Sequence, residues 1–240
     1  MTLEELRQAL EETATPEGVD WVRETEAAVA ADPTAIRARF PAVGRKAGRG
    51  TLDPDADHDD VHAWTVDDAA RVLILAAMGE AAEPELAELY RFGDAAERRG
   101  LLRALAHLPL GDRGRGLVDD AIRTNDTRLI AAALGPYATR HMADAEYEQA
   151  ILKCVFVGVP ITGIDGVPER VTPDGARMLA AFVHERVAAG RDVPAEVWIV
   201  IDKYPHAGEI AAIEAELDSE FDDRRAAAQR ALSHRIQERA

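Results

Sequence analysis

Apolar residues recur every three or four positions over most of this chain. Proline, glycine and short polar residues break the recurrence at intervals. That period puts the apolar side chains on one side of a helix. The pattern is richest from Glu146 to Arg191, where two amphipathic helices are expected with a turn-rich link between them. On the first, Tyr147, Ile151, Cys154, Val155 and Gly158 form the face expected to be buried, with Glu146, Gln149 and Lys153 opposite. Gln149 and Lys153 are one turn apart, so their heads can reach one point. Pro160 cannot continue this helix. The second begins at Thr172-Pro173, a cap followed by a first-turn proline, and ends at Gly190. Leu179, Phe182, Val183 and Val187 make its apolar side. Arg177 and His184 lie on a neighbouring side among Ala180, Ala181 and Ala188, and these small residues leave room for another helix or a ligand.

The same signals divide the rest of the chain. Leu3, Leu6 and Leu10 make a stripe, and Thr15-Pro16 opens a helix expected to run to Ala31. Asp32-Pro33 opens a short one ending near Phe40. From Pro41 to His62 the pattern stops: glycines among Arg45, Lys46 and Arg49 precede a run of aspartates, so a loop with a basic and an acidic half is expected. Thr65-Val66-Asp67-Asp68 is a capping box, followed by core positions Ala69, Val72, Leu73, Ala76 and Ala77. Pro84 and Asp94 start the next helices, Arg123-Thr124-Asn125 is a polar break, and Gly135-Pro136 ends another helix. Residues 205–217 and 219–237 complete the series, the last with a stripe of Phe221, Ala228, Leu232 and Ile236. That stripe suits a helix packed on its own stack, or one that binds a partner. The expected fold class is all-α, a HEAT-like α-solenoid of stacked antiparallel helical hairpins. It is read as one domain over 1–240, with N-terminal helices in 1–40, the charged loop in 41–62, a core in 63–200 and C-terminal helices in 201–240.

Composition sharpens this picture. Hydrophobic residues make up 47% of the chain but aromatics only 5%, and alanine and leucine favour helix over strand. Basic residues number 28 against 44 acidic, a net charge of −16. Such a chain repels phosphate backbones and anionic membranes, which argues against nucleic-acid partners. The single cysteine, Cys154, allows no disulfide within the chain and is expected to be a buried small hydrophobe. The acidic N-terminus does not resemble a signal peptide, and no apolar run is long enough to span a bilayer. The protein is expected to be cytoplasmic, with no membrane insertion.

Candidate chemistry is sparse. Asp53, Asp55 and Asp57 imitate the start of a calcium loop, but His58 takes the glycine position and Trp64 the twelfth. A pair of His58 and His62 lacks defined further ligands. No metal is expected. His184-Glu185 resembles half of a zinc-protease motif, with Ala188 where the second histidine should stand. No phosphate-binding loop, dinucleotide fingerprint, nucleophile elbow or CxxC pair is present, so no cofactor is expected either. The residues left to carry a site are Arg123, Asn125, Gln149, Lys153, Arg177 and Arg191 for a ligand, with Arg71 as an addition. In an acidic protein, Lys153, Arg177 and Arg191 suit an anion such as phosphate or carboxylate. His184 and Glu185 are the tentative acid and base. Each also has a structural reading, as helix cap, inter-helix ion pair or solvated surface.

Four segments, VHAWTVDDAARVLIL, RTN, EQAILKCVFVGVPI and FVHERVAAGRDVPAEVW, resemble the EboA family in order, from about Trp64 to Trp198. The chain departs from the family at Gly135-Pro136-Tyr137-Ala138, at the loop 166–172 and at Val187. The resemblance implies a helical component in the biosynthesis or export of a small secondary metabolite. Its partners would be a small polar metabolite and other enzymes of the same operon. Two roles stay open: a binding or scaffold protein with a pocket for a polar, anionic ligand, or an enzyme acting on such a metabolite.

Overall fold

A computed structural model describes residues 1–57 and 59–237, with all their side chains except those of 236 and 237. Among these residues every regular element is helical. The strand pairing amounts to one isolated antiparallel bridge between Thr51 and Thr65. The chain divides into two compact units, Met1–His141 and Met142–Ala240.

The first unit holds α1 (Leu3–Thr13), α2 (Pro16–Ala31), α3 (Ile36–Arg39), α4 (Val43–Lys46), α5 (Val66–Met78), α6 (Glu83–Phe92), α7 (Ala95–Ala104), α8 (Arg115–Arg123), α9 (Thr127–Ala133) and α10 (Pro136–His141). The helix starts follow the cap residues. The hydroxyl of Thr15 accepts from the Gly18 N–H, and Thr65–Asp68 and Asp94–Glu97 form reciprocal capping boxes. Helix α5 is the centre of the unit. Eleven of its thirteen residues are buried, and it packs on α1, α2, α4 and α7. Two expectations need correction. The loop expected from Pro41 starts later: Phe40–Ala42 is a 3-10 turn and α4 follows, because Val43 and Ala47 are buried. Pro136 ends one helix as expected but also opens α10, since its missing N–H costs nothing in a first turn.

The second unit holds α11 (Asp144–Val157), α12 (Pro173–Ala188), α13 (Val197–Ile201), α14 (Ala207–Ala215) and α15 (Asp222–Gln237). Helix α12 packs on the other four. The expected faces of α11 and α12 hold in the main: Tyr147, Ile151, Cys154, Val155, Leu179, Val183 and Val187 are buried, while Phe182 is only half-buried. Gly158 does not belong to that face. It is exposed and takes the left-handed cap with φ 83°, where a side chain would be strained. Glu148, which has no role in the apolar pattern, is buried. It accepts from the Thr172 N–H at 2.8 Å, across to the start of α12. Gly175 makes that approach possible, because a Cβ there would lie 2.6 Å from the carboxylate. The helix α13 was not anticipated; it buries Trp198, whose ring N–H donates to the Ala231 carbonyl at 2.8 Å. The expected stripe of α15 is also revised. Phe221 precedes the helix and is half-exposed, while Ala227, Ala228 and Ala231 are buried. Leu232 is half-buried, and the side chain of Ile236 lies outside the described residues. The helix packs on α12 and α14 through alanines, which allow close approach.

Candidate functional site

The residues expected to form a site are divided between the units: Arg71, Arg123 and Asn125 in the first, the rest in the second. Arg123 is largely exposed at the end of α8, 3.7 Å from Asp120. Thr124 closes that helix by donating its hydroxyl to the Ala121 carbonyl. Asp126 caps α9 by accepting from the N–H groups of Arg128 and Leu129. Asn125 lies exposed between these two caps. In the second unit, α11 and α12 meet where the Gln149 amide lies 3.3 Å from the Met178 sulfur. Lys153, one turn on from Gln149, is half-buried. Arg177 stands beside Met178 in sequence, half-exposed, with Asp174 of its own helix at 4.0 Å. His184 is half-buried, and Glu185 and Arg191 are exposed. The altered loop before α12 is tied down by Arg170, whose guanidinium lies 4.5 Å from the Tyr147 ring centroid and 3.2 Å from Asp144. Among the described residues no group of three or more His, Cys, Asp and Glu is placed to hold a metal. His58, half of the histidine pair, lies outside them.

The densest buried charge is elsewhere, between α5 and α7. Asp67 and Asp68, on the first turn of α5, are buried together with Arg71, Arg99 and Arg103. The Arg99 Nε–H is shared between both Asp68 oxygens at 2.9 Å, and Arg103 donates to Asp68 at 2.9 Å. Arg71 pairs with Asp67 one turn away on α5. Gly100 leaves space for the Arg71 stem: a Cβ at that position would come within 2.8 Å of it. Thr65 joins both sides, donating to Asp67 at 2.7 Å and accepting from Arg99 at 3.0 Å. Burial pushes the Arg103 guanidinium down from its ordinary value, against the pull of Asp68. Three guanidiniums thus face two carboxylates. Arg103 also grips the acidic loop, donating to the carbonyls of His62 and Ala63 and lying 4.4 Å from the Trp64 ring centroid.

Two members of this network, Thr65 and Arg99, line a cavity of about 200 Å³. Its polar walls are Arg49, Thr51, Asp60, Thr65, Arg99 and Arg128. The lining segments 49–51 and 63–65 are joined by backbone pairing, with the Leu52 N–H on the Trp64 carbonyl and the Val66 N–H on the Gly50 carbonyl. Three arginines line the cavity against one lining carboxylate, Arg99 being paired behind the wall with Asp68, so arginine is concentrated here in a chain of net charge −16. Such a wall holds anions by charge-assisted, forked hydrogen bonds. The sequence reading missed it. One signal was available: Arg99 and Arg103 stand one turn apart in a leucine-rich helix, where unpaired charge would be costly. Nothing local marks Arg49 or Arg128.

No curated protein and no solved structure matches the chain. The family model described as metabolite traffic protein EboA matches residues 2–202, more than four-fifths of the sequence and wider than the four segments that first suggested it, and the chain belongs to the EboA family.

Proposed function

We propose that this protein binds a small, polar, anionic metabolite and holds it for transfer, without transforming it, in a cytoplasmic secondary-metabolite pathway. The observation that carries the reading is the convergence of Arg49, Arg99 and Arg128 on one cavity in an otherwise acidic chain. A metabolite traffic family is consistent with it. Binding is favoured over catalysis because the described residues that wall the cavity are cations, hydroxyls and one carboxylate, and the Thr65 hydroxyl proton is engaged by Asp67. The short antiparallel helices are read as HEAT-like hairpins that scaffold the site beside other enzymes of the same operon. An experimental structure in which the hairpins do not repeat would remove that part of the reading.

Isothermal titration with small anions tests the binding. Arg49→Ala combined with Arg128→Ala should weaken anion binding by roughly ten- to a hundredfold, the worth of a charge-assisted hydrogen bond. Binding should also weaken as salt is added. Lys153→Ala and Arg177→Ala serve as controls in the same titration. If they abolish binding and the first pair does not, the site belongs to the second unit. If no small anion binds at all, the reading is wrong.

A further inference from the structure

We infer that the ligand of the arginine-walled cavity is a small, hydroxylated phosphate monoester, held by its phosphate on the guanidiniums and by a hydroxyl on Asp60. The inference rests on the reading that this cavity binds an anion, and it adds the chemical class. Size comes first. About 200 Å³ is below the range of cavities that take drug-sized ligands. Among the described residues Ala63 is the only wholly apolar side chain in the walls, with arginine stems and threonine methyls as the other apolar surface. A prenyl chain or an aromatic ring would find too little there to replace its contact with water, so the ligand is mainly hydrophilic.

Charge and donor count choose the anion. Each guanidinium carries five N–H donors in a planar fork. Arg99 spends two of its five on Asp68 and Thr65, and it is held rigid by those bonds while lining the cavity. A phosphate ester offers three acceptor oxygens and close to two negative charges near neutral pH, whereas a carboxylate offers two oxygens and one charge. Three guanidiniums from separate segments are better matched by the phosphate.

Asp60 chooses the other end. A lone carboxylate in a wall built for anions weakens anion binding unless it meets a donor on the ligand. Its Oδ1 accepts from the His62 N–H at 2.9 Å, which fixes the side chain in a turn. The next residues are anchored by Arg103 on the carbonyls of His62 and Ala63. Asp60 is exposed, so Oδ2 is open to water or to a ligand. A ligand hydroxyl satisfies it. An ammonium would satisfy it too, but would be repelled by the three neighbouring guanidiniums.

The test uses the full chain and three probes: glycerol 3-phosphate, methyl phosphate and glycerate, titrated calorimetrically. Glycerol 3-phosphate should bind about tenfold tighter than either of the others, a difference of one hydrogen bond to a charged group. Asp60→Ala removes the acceptor for a ligand hydroxyl and leaves no side-chain donor in its place. The preference for glycerol 3-phosphate over methyl phosphate should then fall to about one, with methyl phosphate bound no more weakly than before. Equal binding of the two phosphates by the native protein, a preference that survives Asp60→Ala, or tighter binding of glycerate would overturn this inference and leave the anion cavity standing. Failure of all three probes to bind, or binding indifferent to Arg49→Ala with Arg128→Ala, would overturn both.

Discussion

Cys154 lies on the buried face of α11, wholly covered. Burial is the main reason its thiol is pushed up to about 12. Neutral at physiological pH and out of reach, it lacks both requirements for reactivity, the thiolate and access. A thiol reagent at mildly alkaline pH should therefore modify the folded protein at least about a hundredfold more slowly than the unfolded chain. Stoichiometric modification of the folded protein at the unfolded rate would show that α11 does not cover this side chain as described. Tyr147 shows how a buried polar group is kept satisfied on the same face. Its hydroxyl donates to the Asp165 carbonyl at 2.6 Å, and burial raises it above its ordinary value.

At the scale of elements, the junction of α5 and α7 depends on Asp68. Both guanidiniums that reach it come from α7, and its side chain is wholly buried. Removing one member of a buried ion pair leaves its partner charged and unpaired, which typically costs about 3–5 kcal/mol. Asp68→Asn should lower the unfolding free energy, measured by urea denaturation, by an amount in that range. A loss below about 1 kcal/mol, typical of surface pairs, would mean that water reaches the network. The Arg37–Glu85 pair between α3 and α6 offers a contrast. Its bonds are 2.8 Å long, but the arginine is 67% exposed, so solvent screens it and Glu85→Gln should matter much less. The capping box at Thr65–Asp68 therefore has two roles: it starts α5 and also holds α7.

At the scale of the whole molecule, the excess of acidic residues sets solubility and long-range attraction, not the fold. Among the described residues no helix is long and apolar enough to cross a membrane. Residues 1–240 are proposed to unfold as one domain although two compact units are distinguishable. Calorimetry decides this. One domain gives a single transition in which the calorimetric and van't Hoff enthalpies agree, and circular dichroism and tryptophan fluorescence coincide. Two resolved transitions would separate the units.

Helix starts, helix ends and most buried faces were legible in the residues themselves. A cap acts on N–H groups within three positions, as Thr15, Thr65, Asp94 and Thr172 do, and the 3.6-residue period writes a buried face into a few turns. Where a residue's environment depends on distant chain, the local pattern was silent or misleading. Glu148 carries no local sign of burial, but it is buried against the start of α12. Phe221 looked like core, but no element covers it fully. The cavity is the extreme case. Arg49 and Asp60 belong to the charged loop, Arg99 to α7 and Arg128 to α9, and the Asp68–Arg99 pair that braces them spans 31 positions. No spacing rule relates such residues. The sequence determined which segments are helices, because helical hydrogen bonds are local; packing decided which charges meet, because ion pairs form wherever the folded chain brings their side chains together.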